Sequence, residues 1–367
     1  MSPFLRPALF VTLFAGVIFF SYPAVLSNEH AIDDPIQELV STLSLEQKVG
    51  QMFMLGMFSD DIEGWKQEFL QEKNIGGVIL HPYNVREEGQ IKAFVKTLQE
   101  GAPHQSIPLF IAVNQEGGEI MGIKFAGEKR GGRMIQDEGT AFEVGLARAK
   151  ELRGWGVNVN FAPVVDVVAE PNSFLYTRSF SENPVQVAST ASSYIKGQRE
   201  GGIISCIKHF PGHGVSLGDS HVNIPISYAS REEIEKHLIP FRKAIEEGTE
   251  MIMATHMVFP LIDKENVPFS RVFLTDLLRN ELGFEGVIIT DDLEMKAVRN
   301  LYSLDEAVIK AVEAGVDIMT ISGILENQRK GYDALLAAVR SGRVSEERIN
   351  QSLERILLLK AKIGAQE

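Results

Sequence analysis

Short apolar runs alternate with amphipathic stretches along most of the chain. Near-continuous runs of Val, Ile, Met and Ala are typical of parallel strands that are covered on both faces. The runs that we interpret as strands are Val49–Phe58, Gly77–His81, Pro108–Asn114, Val157–Val168, Ile203–His209, Glu250–Val258, Gly286–Asp291 and Asp317–Ser322. Apolar positions three to four residues apart predict helices between and after these strands. The predicted helices are Glu87–Glu100, Ala141–Trp155, Pro184–Gly201, Arg231–Glu247, Thr275–Leu282, Leu304–Ala314, Glu326–Ser341 and Ser345–Ile363.

This alternation of strands and helices, with no long linker, favours a single α/β domain folded as a (β/α)8 TIM-type barrel. Such a barrel typically takes about 250 residues, and the chain has 367. A doubly wound sheet is the alternative, but no Gly-rich phosphate-binding loop follows any predicted strand. The segment Gly117–Thr140 is irregular. We interpret it as a long surface loop over the barrel mouth, and the alternative is a floppy insertion without a role.

Polar residues recur at or just after the carboxyl ends of the predicted strands, where the active sites of such barrels lie. They are Asn114, Asp166, Arg178, Lys208, His209, His256, Asp291 and Asp292. Helix capping is an alternative for Asp291 and Asp292, because acidic residues before a helix satisfy its free amide groups. One of the two can serve as a cap while the other points into the barrel mouth.

The motif Lys-His-Phe-Pro-Gly-His-Gly at residues 208–214 and the triplet Asp-Ser-His at 219–221 concentrate titratable groups in an irregular loop. A carboxylate held against an imidazole raises the pKa of the histidine, because it stabilises the charged form. A histidine that titrates near neutral pH is a suitable general acid and base. Asp219 and His221 are therefore candidate catalytic residues. The alternative is that both are solvated loop residues.

The net charge of −13 and the absence of a Lys/Arg-rich block argue against nucleic acid as a partner. The single cysteine, Cys206, lies in an apolar run and is interpreted as a small buried hydrophobe.

A metal site is another explanation for histidines and aspartates gathered at strand ends, because barrel hydrolases bind zinc with such ligands. The residues concerned are His209, His213, Asp219, His221, His256 and Asp291. No strand carries two histidines flanking one residue, however, and Lys208 places a positive charge beside His209. We therefore expect no metal and no other cofactor.

The N-terminus differs from the rest of the chain. Arg6 precedes an apolar run from Pro7 to Phe20, and small residues lie near Ser27. This pattern predicts a secretory signal peptide at residues 1–27, and an uncleaved membrane anchor is the alternative. Either way, we expect a working domain at residues 28–367 that is exported from the cytoplasm. A single cysteine suits an oxidising compartment, because it has no second cysteine in the chain with which to mispair.

Four motifs together resemble the family 3 glycoside hydrolases, and within them the β-N-acetylhexosaminidase branch. They are KHFPGHG at 208–214, DSH at 219–221, NFAPVVDV at 160–167 and IITDDLEM at 288–295. The resemblance extends over residues 40–363. It implies an exo-acting, retaining enzyme that removes terminal β-linked N-acetylglucosamine, with peptidoglycan fragments as the expected carbohydrate substrate.

The resemblance also implies roles for individual residues. Asp291 takes the place of the nucleophile and His221 that of the acid/base, with Asp219 orienting and charging it. Lys208, His209 and Arg178 are expected to hydrogen-bond the sugar hydroxyls. Asp166 lies in a matching motif whose role is left open.

Three positions depart from the family pattern. Asn114 stands where an aspartate that grips a sugar hydroxyl is usual, Glu119 where arginine is usual, and Thr177 where an acidic residue is common. These changes put the glycone pocket in question. They leave a β-glucosidase, a glycoside phosphorylase or a catalytically weak sugar-binding barrel as alternatives. The oligomeric state has no signal in the sequence.

Overall fold

The computed structural model describes residues 30–57, 63–102, 107–216 and 223–364. The predicted signal or anchor at residues 1–27 lies outside these ranges, and so do Asp219 and His221. Among the helices in the described ranges, none is both long and apolar enough to cross a membrane.

Eight parallel strands form a closed barrel in the order of the sequence. In chain order they are β1 (Phe53–Gly56), β2 (Gly77–Leu80), β3 (Phe110–Val113), β4 (Val159–Asn160), β5 (Ile204–Phe210), β6 (Met251–Ala254), β7 (Val287–Asp292) and β8 (Ile318–Ile321). β8 pairs with β1 and closes the barrel. The predicted (β/α)8 barrel is confirmed. Because all strands run in parallel, their carboxyl ends meet at one rim, the barrel mouth.

Helices surround the barrel and follow most strands. The helical segments are His30–Thr42, Leu45–Gln51, Glu63–Trp65, Lys66–Glu72, Glu88–Gly101, Glu138–Gly154, Pro184–Glu200, Arg231–Glu246, Val272–Glu281, Lys296–Arg299, Leu304–Ala314, Leu325–Arg340 and Glu346–Gly364, with short 3₁₀ turns at Gly132–Met134, His213–Val215 and Val267–Phe269. Local sequence sets several of their starts. Ser230 and Glu233 form a reciprocal capping box before Arg231–Glu246.

The core lies inside the barrel and between the barrel and its helices. Every residue of β5 is buried, and Phe210 packs edge-on against Phe241 of the Arg231–Glu246 helix with ring centroids 5.3 Å apart. Cys206 is fully buried in β5, and burial raises the pKa of its thiol. The interpretation of this cysteine as a buried hydrophobe is confirmed.

Two predicted strands are wrong in extent. The run Val49–Phe58 begins inside the helix Leu45–Gln51, which starts where Ser44 and Gln47 form a capping box. The run Val157–Val168 contributes only β4 as a regular strand. Pro163 has no amide hydrogen for the ladder, and pairing resumes only as a single bridge between Val164 and Lys208.

The segment Gly117–Thr140 is not simply a surface loop. Its start pairs in a two-stranded hairpin, Gln115–Gly117 with Ile120–Met121, and Ile123 and Ile135 are buried in the main core. A second hairpin, Val258–Phe259 with Asp263–Asn266, follows β6.

Candidate active site

A buried carboxylate, Glu116, holds two cationic side chains at the barrel mouth. Arg178 donates to it from Nε at 2.7 Å and from Nη2 at 2.9 Å, and Lys208 Nζ lies 2.6 Å from Oε1. Burial raises the pKa of Glu116, but the charges of Arg178 and Lys208 outweigh it and lower the pKa to about 2. Glu116 is therefore ionised at neutral and mildly acidic pH. It fixes the positions of two predicted sugar-binding residues.

Glu116 was not among the residues singled out from the sequence. It follows β3 two positions after Asn114, in the stretch Asn-Gln-Glu-Gly-Gly. The signal was therefore present, because polar residues at strand ends mark the mouth of such a barrel. Its two partners are far away along the chain, at positions 178 and 208, and only the closed barrel brings them together.

Lys208 lies in β5, and its side chain contacts residues that follow β3. Its ammonium also donates to Asn114 Oδ1 at 2.7 Å, and the side chain is 3% exposed. The ammonium is thus held by one charged and one neutral acceptor. Asn114 itself is half-buried, so its amide is at the edge of the mouth. The structure thus brings together two of the predicted sugar-binding residues, Lys208 and Asn114.

Asp166 is completely buried beneath His209. It lies 2.7 Å from His209 Nδ1, which must carry the hydrogen because an ionised carboxylate only accepts. It also accepts from the backbone amides of His209 and His213. Burial raises the pKa of Asp166, but the charge and hydrogen bond of His209 outweigh it, so the pKa is lowered. The structure places Asp166 as the support of His209 and of the turn after β5.

His213 packs behind His209 and has no hydrogen bond from either ring nitrogen to any residue of the described chain. Its ring meets those of Phe174 and His209 edge-on, with centroids 5.2 and 5.9 Å away. Burial and the charge of His209 lower its pKa to about 4. A neutral, enclosed imidazole without hydrogen-bond partners among the described residues is a packing residue.

The turn of the 208–214 motif is built around Gly212. Its φ of 123° lies in the region that favours glycine, and a Cβ there would lie 2.8 Å from His237 Cβ. The turn leads through His213–Val215 to the segment that carries Asp219 and His221, which lies outside the described residues. The roles assigned to these two residues stay predictions.

The segment Gly117–Thr140 packs against the loop that carries Arg178. Arg133 N donates to Thr177 O at 3.2 Å, and a Cβ on Gly132 would lie 2.0 Å from Arg178 O. Only glycine allows this approach of the two backbones. The segment is thus a fixed wall of the pocket that positions Arg178.

A buried arginine, Arg148, ties the same wall to Glu116. Its Nη1 donates to Glu116 O at 2.7 Å and to Tyr194 OH at 3.1 Å, and its Nη2 donates to Arg130 O. The guanidinium therefore holds the backbone of Glu116 and that of the neighbouring segment in one arrangement.

Asp291 stands half-buried in β7, near its carboxyl end. Its Oδ1 accepts a hydrogen bond from Asp292 N at 2.8 Å. Burial raises the pKa of Asp291, but the electrostatic influence of the basic side chains around it, His256, His209 and Lys208, outweighs burial and lowers the pKa. The carboxylate is therefore ionised at neutral pH, as a nucleophile requires.

Asp292 serves the turn after β7. Its Oδ1 accepts from Glu294 N at 3.0 Å and from Ser322 N at 3.4 Å, and its Oδ2 accepts from Ser322 Oγ. Asp292 thus satisfies amides of the turn and of the residue after β8. It does not cap the next helix, because Met295 is at the N-cap of Lys296–Arg299 and no side chain makes a capping hydrogen bond there. In the described part of the chain, no group of three or more His, Cys, Asp and Glu side chains has the arrangement of a metal site.

The chain is similar in sequence to known proteins. Residues 44–359 match the Glycosyl hydrolase family 3 N terminal domain. The chain is 35% identical to Beta-hexosaminidase A of Pseudoalteromonas piscicida over 81% of its own length and 55% of that protein. It is 36% identical to a Beta-hexosaminidase of Nitrosomonas eutropha over 72% of its length and 78% of the relative.

Solved structures agree with the sequence comparison. A family 3 β-N-acetylglucosaminidase from Paenibacillus sp. str. FPU-7 superposes with a TM-score of 0.86 at 36% identity, over 89% of this chain and 64% of that one. A β-N-acetylhexosaminidase from Beutenbergia cavernae superposes with a TM-score of 0.80 at 27% identity, over 87% of this chain and 99% of that one. The chain thus spans little more than half of the Pseudoalteromonas protein. The resemblance seen in the motifs is confirmed, and the chain belongs to glycosyl hydrolase family 3 through its N terminal domain.

Proposed function

We propose that this chain is a retaining exo-β-N-acetylhexosaminidase that removes terminal β-linked N-acetylglucosamine. The observation that carries the proposal is an ionised, half-buried Asp291 in the same mouth as the fixed cations Lys208 and Arg178. A strand-end carboxylate beside a rigid set of hydroxyl-binding groups is what a glycosidase needs to hold the anomeric carbon against a nucleophile. The names of the similar proteins support the choice of N-acetylglucosamine.

In the first step, Asp291 attacks the anomeric carbon while His221, protonated, donates its proton to the leaving glycosidic oxygen. The glycosidic bond breaks and a glycosyl-aspartate forms. The hydrogen bond from Asp292 N engages Asp291 Oδ1, and among the described residues none donates to Oδ2. We therefore assign the attack to Oδ2, with Oδ1 becoming the carbonyl oxygen of the ester.

In the second step, water attacks the anomeric carbon and neutral His221 takes its proton. The ester bond breaks, Asp291 returns to a carboxylate, and the sugar leaves with its original configuration. A histidine that is charged in the first step and neutral in the second needs a pKa near the working pH, which Asp219 would supply.

The location and the natural substrate are part of the proposal. A basic residue followed by the apolar run from Pro7 to Phe20 supports export, by signal peptide or by anchor. For an exported member of this family, peptidoglycan fragments are the substrate that we propose. Sequencing the N-terminus of the protein recovered from outside the cytoplasm distinguishes a cleaved signal from an anchor.

The activity is tested with 4-nitrophenyl glycosides of β-N-acetylglucosamine and β-glucose, each with and without phosphate. We expect hydrolysis of the N-acetylglucosaminide, a lower kcat/KM for the glucoside, and no requirement for phosphate. Asp291→Ala should abolish turnover, whereas Asp276→Ala, an exposed aspartate on the helix Val272–Glu281, should not. Near wild-type turnover in Asp291→Ala would refute the mechanism. Faster turnover with phosphate would favour a phosphorylase, and loss of activity in a chelator would favour a metal enzyme.

A further inference from the structure

The residue after the proposed nucleophile is joined to both neighbouring strands of the barrel. Asp292 ends β7, Ser322 directly follows β8, and His256 follows β6 two positions after its last residue. The Asp292 carboxylate bonds to the backbone and hydroxyl of Ser322, and the Asp292 carbonyl lies 2.9 Å from His256 Nε2. Its side chain is therefore fixed on one side of β7 and its carbonyl on the other.

The state of His256 follows from this contact. A carbonyl oxygen only accepts hydrogen bonds, so His256 Nε2 carries the hydrogen. The imidazole is 1% exposed, and burial lowers its pKa. A neutral imidazole has one ring hydrogen, so Nδ1 is unprotonated, and it has no hydrogen-bond partner among the described residues. His256 is thus a neutral hydrogen-bond donor to the carbonyl oxygen of Asp292.

We infer that Asp292 is a positioning residue for the nucleophile, which it holds through its own backbone amide. That amide is the donor to Asp291 Oδ1 at 2.8 Å. Because the carboxylate and the carbonyl of Asp292 are both fixed, its amide has a fixed direction. The hydrogen bond then holds one oxygen of Asp291 and leaves the other for the anomeric carbon. This inference rests on the proposed function, since it concerns the same nucleophile.

Asp292 has no direct part in the chemistry in this arrangement. Both of its carboxylate oxygens are engaged by the turn and by Ser322, so neither is available to attack or to transfer a proton. Its contribution is geometric. A displacement of about 1 Å at a reacting group costs about 100-fold in rate, which sets the size of the expected effect.

The test compares two substitutions at the same position in the full chain. Asp292→Ala removes every side-chain bond to Ser322 and Glu294. Asp292→Asn keeps them, because its Oδ1 accepts from the two amides and its Nδ2 donates to the Ser322 hydroxyl. With 4-nitrophenyl β-N-acetylglucosaminide, we expect kcat of Asp292→Ala to fall about 100-fold with little change in KM. Asp292→Asn should restore most of kcat.

The pH profile separates positioning from general stability. The fixed amide favours the ionised form of Asp291. Alanine keeps this amide but no longer fixes its direction, so the acid limb of kcat/KM should lie at higher pH in Asp292→Ala than in Asp292→Asn, which removes the same carboxylate charge. If Asp292→Ala only lowers the melting temperature, while kcat per folded molecule and the acid limb match the wild type, the inference is refuted.

Two milder variants keep the test decisive if Asp292→Ala does not fold. Ser322→Ala removes one hydroxyl, and His256→Phe removes the donor to the Asp292 carbonyl. Each should lower kcat more than it raises KM, and wild-type kcat in both would contradict the inference. The wild type and Asp291→Ala are measured first. An inactive wild type, or an active Asp291→Ala, refutes the proposed function, whereas the results for Asp292 bear on the positioning role alone.

Discussion

Glu116 and Arg178 form a two-point ion pair inside the barrel mouth, with N–O distances of 2.7 and 2.9 Å and side chains that are 3% and 12% exposed. Lys208 completes the group on the same carboxylate. A planar guanidinium and a carboxylate joined at two points fix each other's orientation as well as position. The two cations that are predicted to bind the sugar therefore have a preformed geometry that depends on one acidic residue.

Glu116→Gln should disrupt this arrangement. The amide keeps the shape of the side chain but leaves two buried cations without their counter-charge. Removal of one partner from a buried ion group costs about 3–5 kcal/mol of unfolding free energy. We expect that loss in denaturant titrations, together with a higher KM for the aryl N-acetylglucosaminide.

Glu138→Gln is the matched control, since Glu138 is an exposed glutamate near the end of the segment Gly117–Thr140. It should leave both stability and KM close to those of the wild type. Equal effects of the two substitutions would mean that the buried group has no special role.

Asn114→Asp tests the departure from the family pattern. Asn114 Oδ1 lies 2.7 Å from Lys208 Nζ, in the pocket where an aspartate is usual. A charged acceptor makes a stronger hydrogen bond to a sugar hydroxyl than a neutral one, by about 1 kcal/mol or roughly fivefold in affinity. We expect KM for the N-acetylglucosaminide to fall by that factor with kcat little changed. Asn300→Asp, at an exposed position, is the control, and an unchanged or higher KM in Asn114→Asp would show that asparagine is the better residue here.

The barrel was predictable because its strands are apolar on both faces and their sequence order is their spatial order. The errors have local causes. Val49 and its neighbours form a buried helix, and a short apolar run of that kind has no period that distinguishes it from a strand. In the run Val157–Val168, the apolar pattern predicted one continuous strand. Pro163 has no amide hydrogen for the ladder, so the regular strand is limited to β4.

The residues at the barrel mouth could be predicted from the sequence, but how deeply each side chain is buried could not. Strand ends identify Asp166 and Lys208 as residues of the mouth, yet Asp166 is fully buried beneath His209 while Asn114 is at the edge. The choice of partners also lies beyond a linear pattern. Glu116 meets Arg178 and Lys208 because β3, β4 and β5 are neighbours in the closed barrel.

Gly132→Ala should displace Arg178 without touching its side chain. A Cβ at this position would lie 2.0 Å from Arg178 O and 2.7 Å from Arg178 C. These are backbone atoms, so the loop itself must move. We expect a lower melting temperature and a higher KM, because the guanidinium loses its place on Glu116. Gly154→Ala is the control, since no atom lies within 4 Å of the added Cβ, and it should preserve KM. A wild-type KM in Gly132→Ala would show that the segment Gly117–Thr140 tolerates the movement.

Acid should destabilise the folded chain through His213. Burial and the charge of His209 lower the pKa of His213 to about 4 in the folded state, from an ordinary value of 6.5. The unfolded chain therefore binds the proton more readily than the folded chain in this interval. The stabilising contribution is complete above pH 6.5 and is lost as the pH falls towards 4. Its size is roughly 3 kcal/mol, from 1.36 kcal/mol for each unit of pKa shift.

His213→Met removes this titration and keeps a side chain of similar bulk against Phe174. Because neither ring nitrogen of His213 has a hydrogen-bond partner in the described structure, the substitution breaks no side-chain bond. The unfolding free energy, measured in denaturant at intervals between pH 7 and pH 4, should fall less steeply in the variant than in the wild type. His237 has a pKa lowered to about 4 by burial as well, so His237→Met should reduce the slope by a similar amount. Parallel pH profiles for the wild type and His213→Met would show that His213 is not the group that titrates on unfolding.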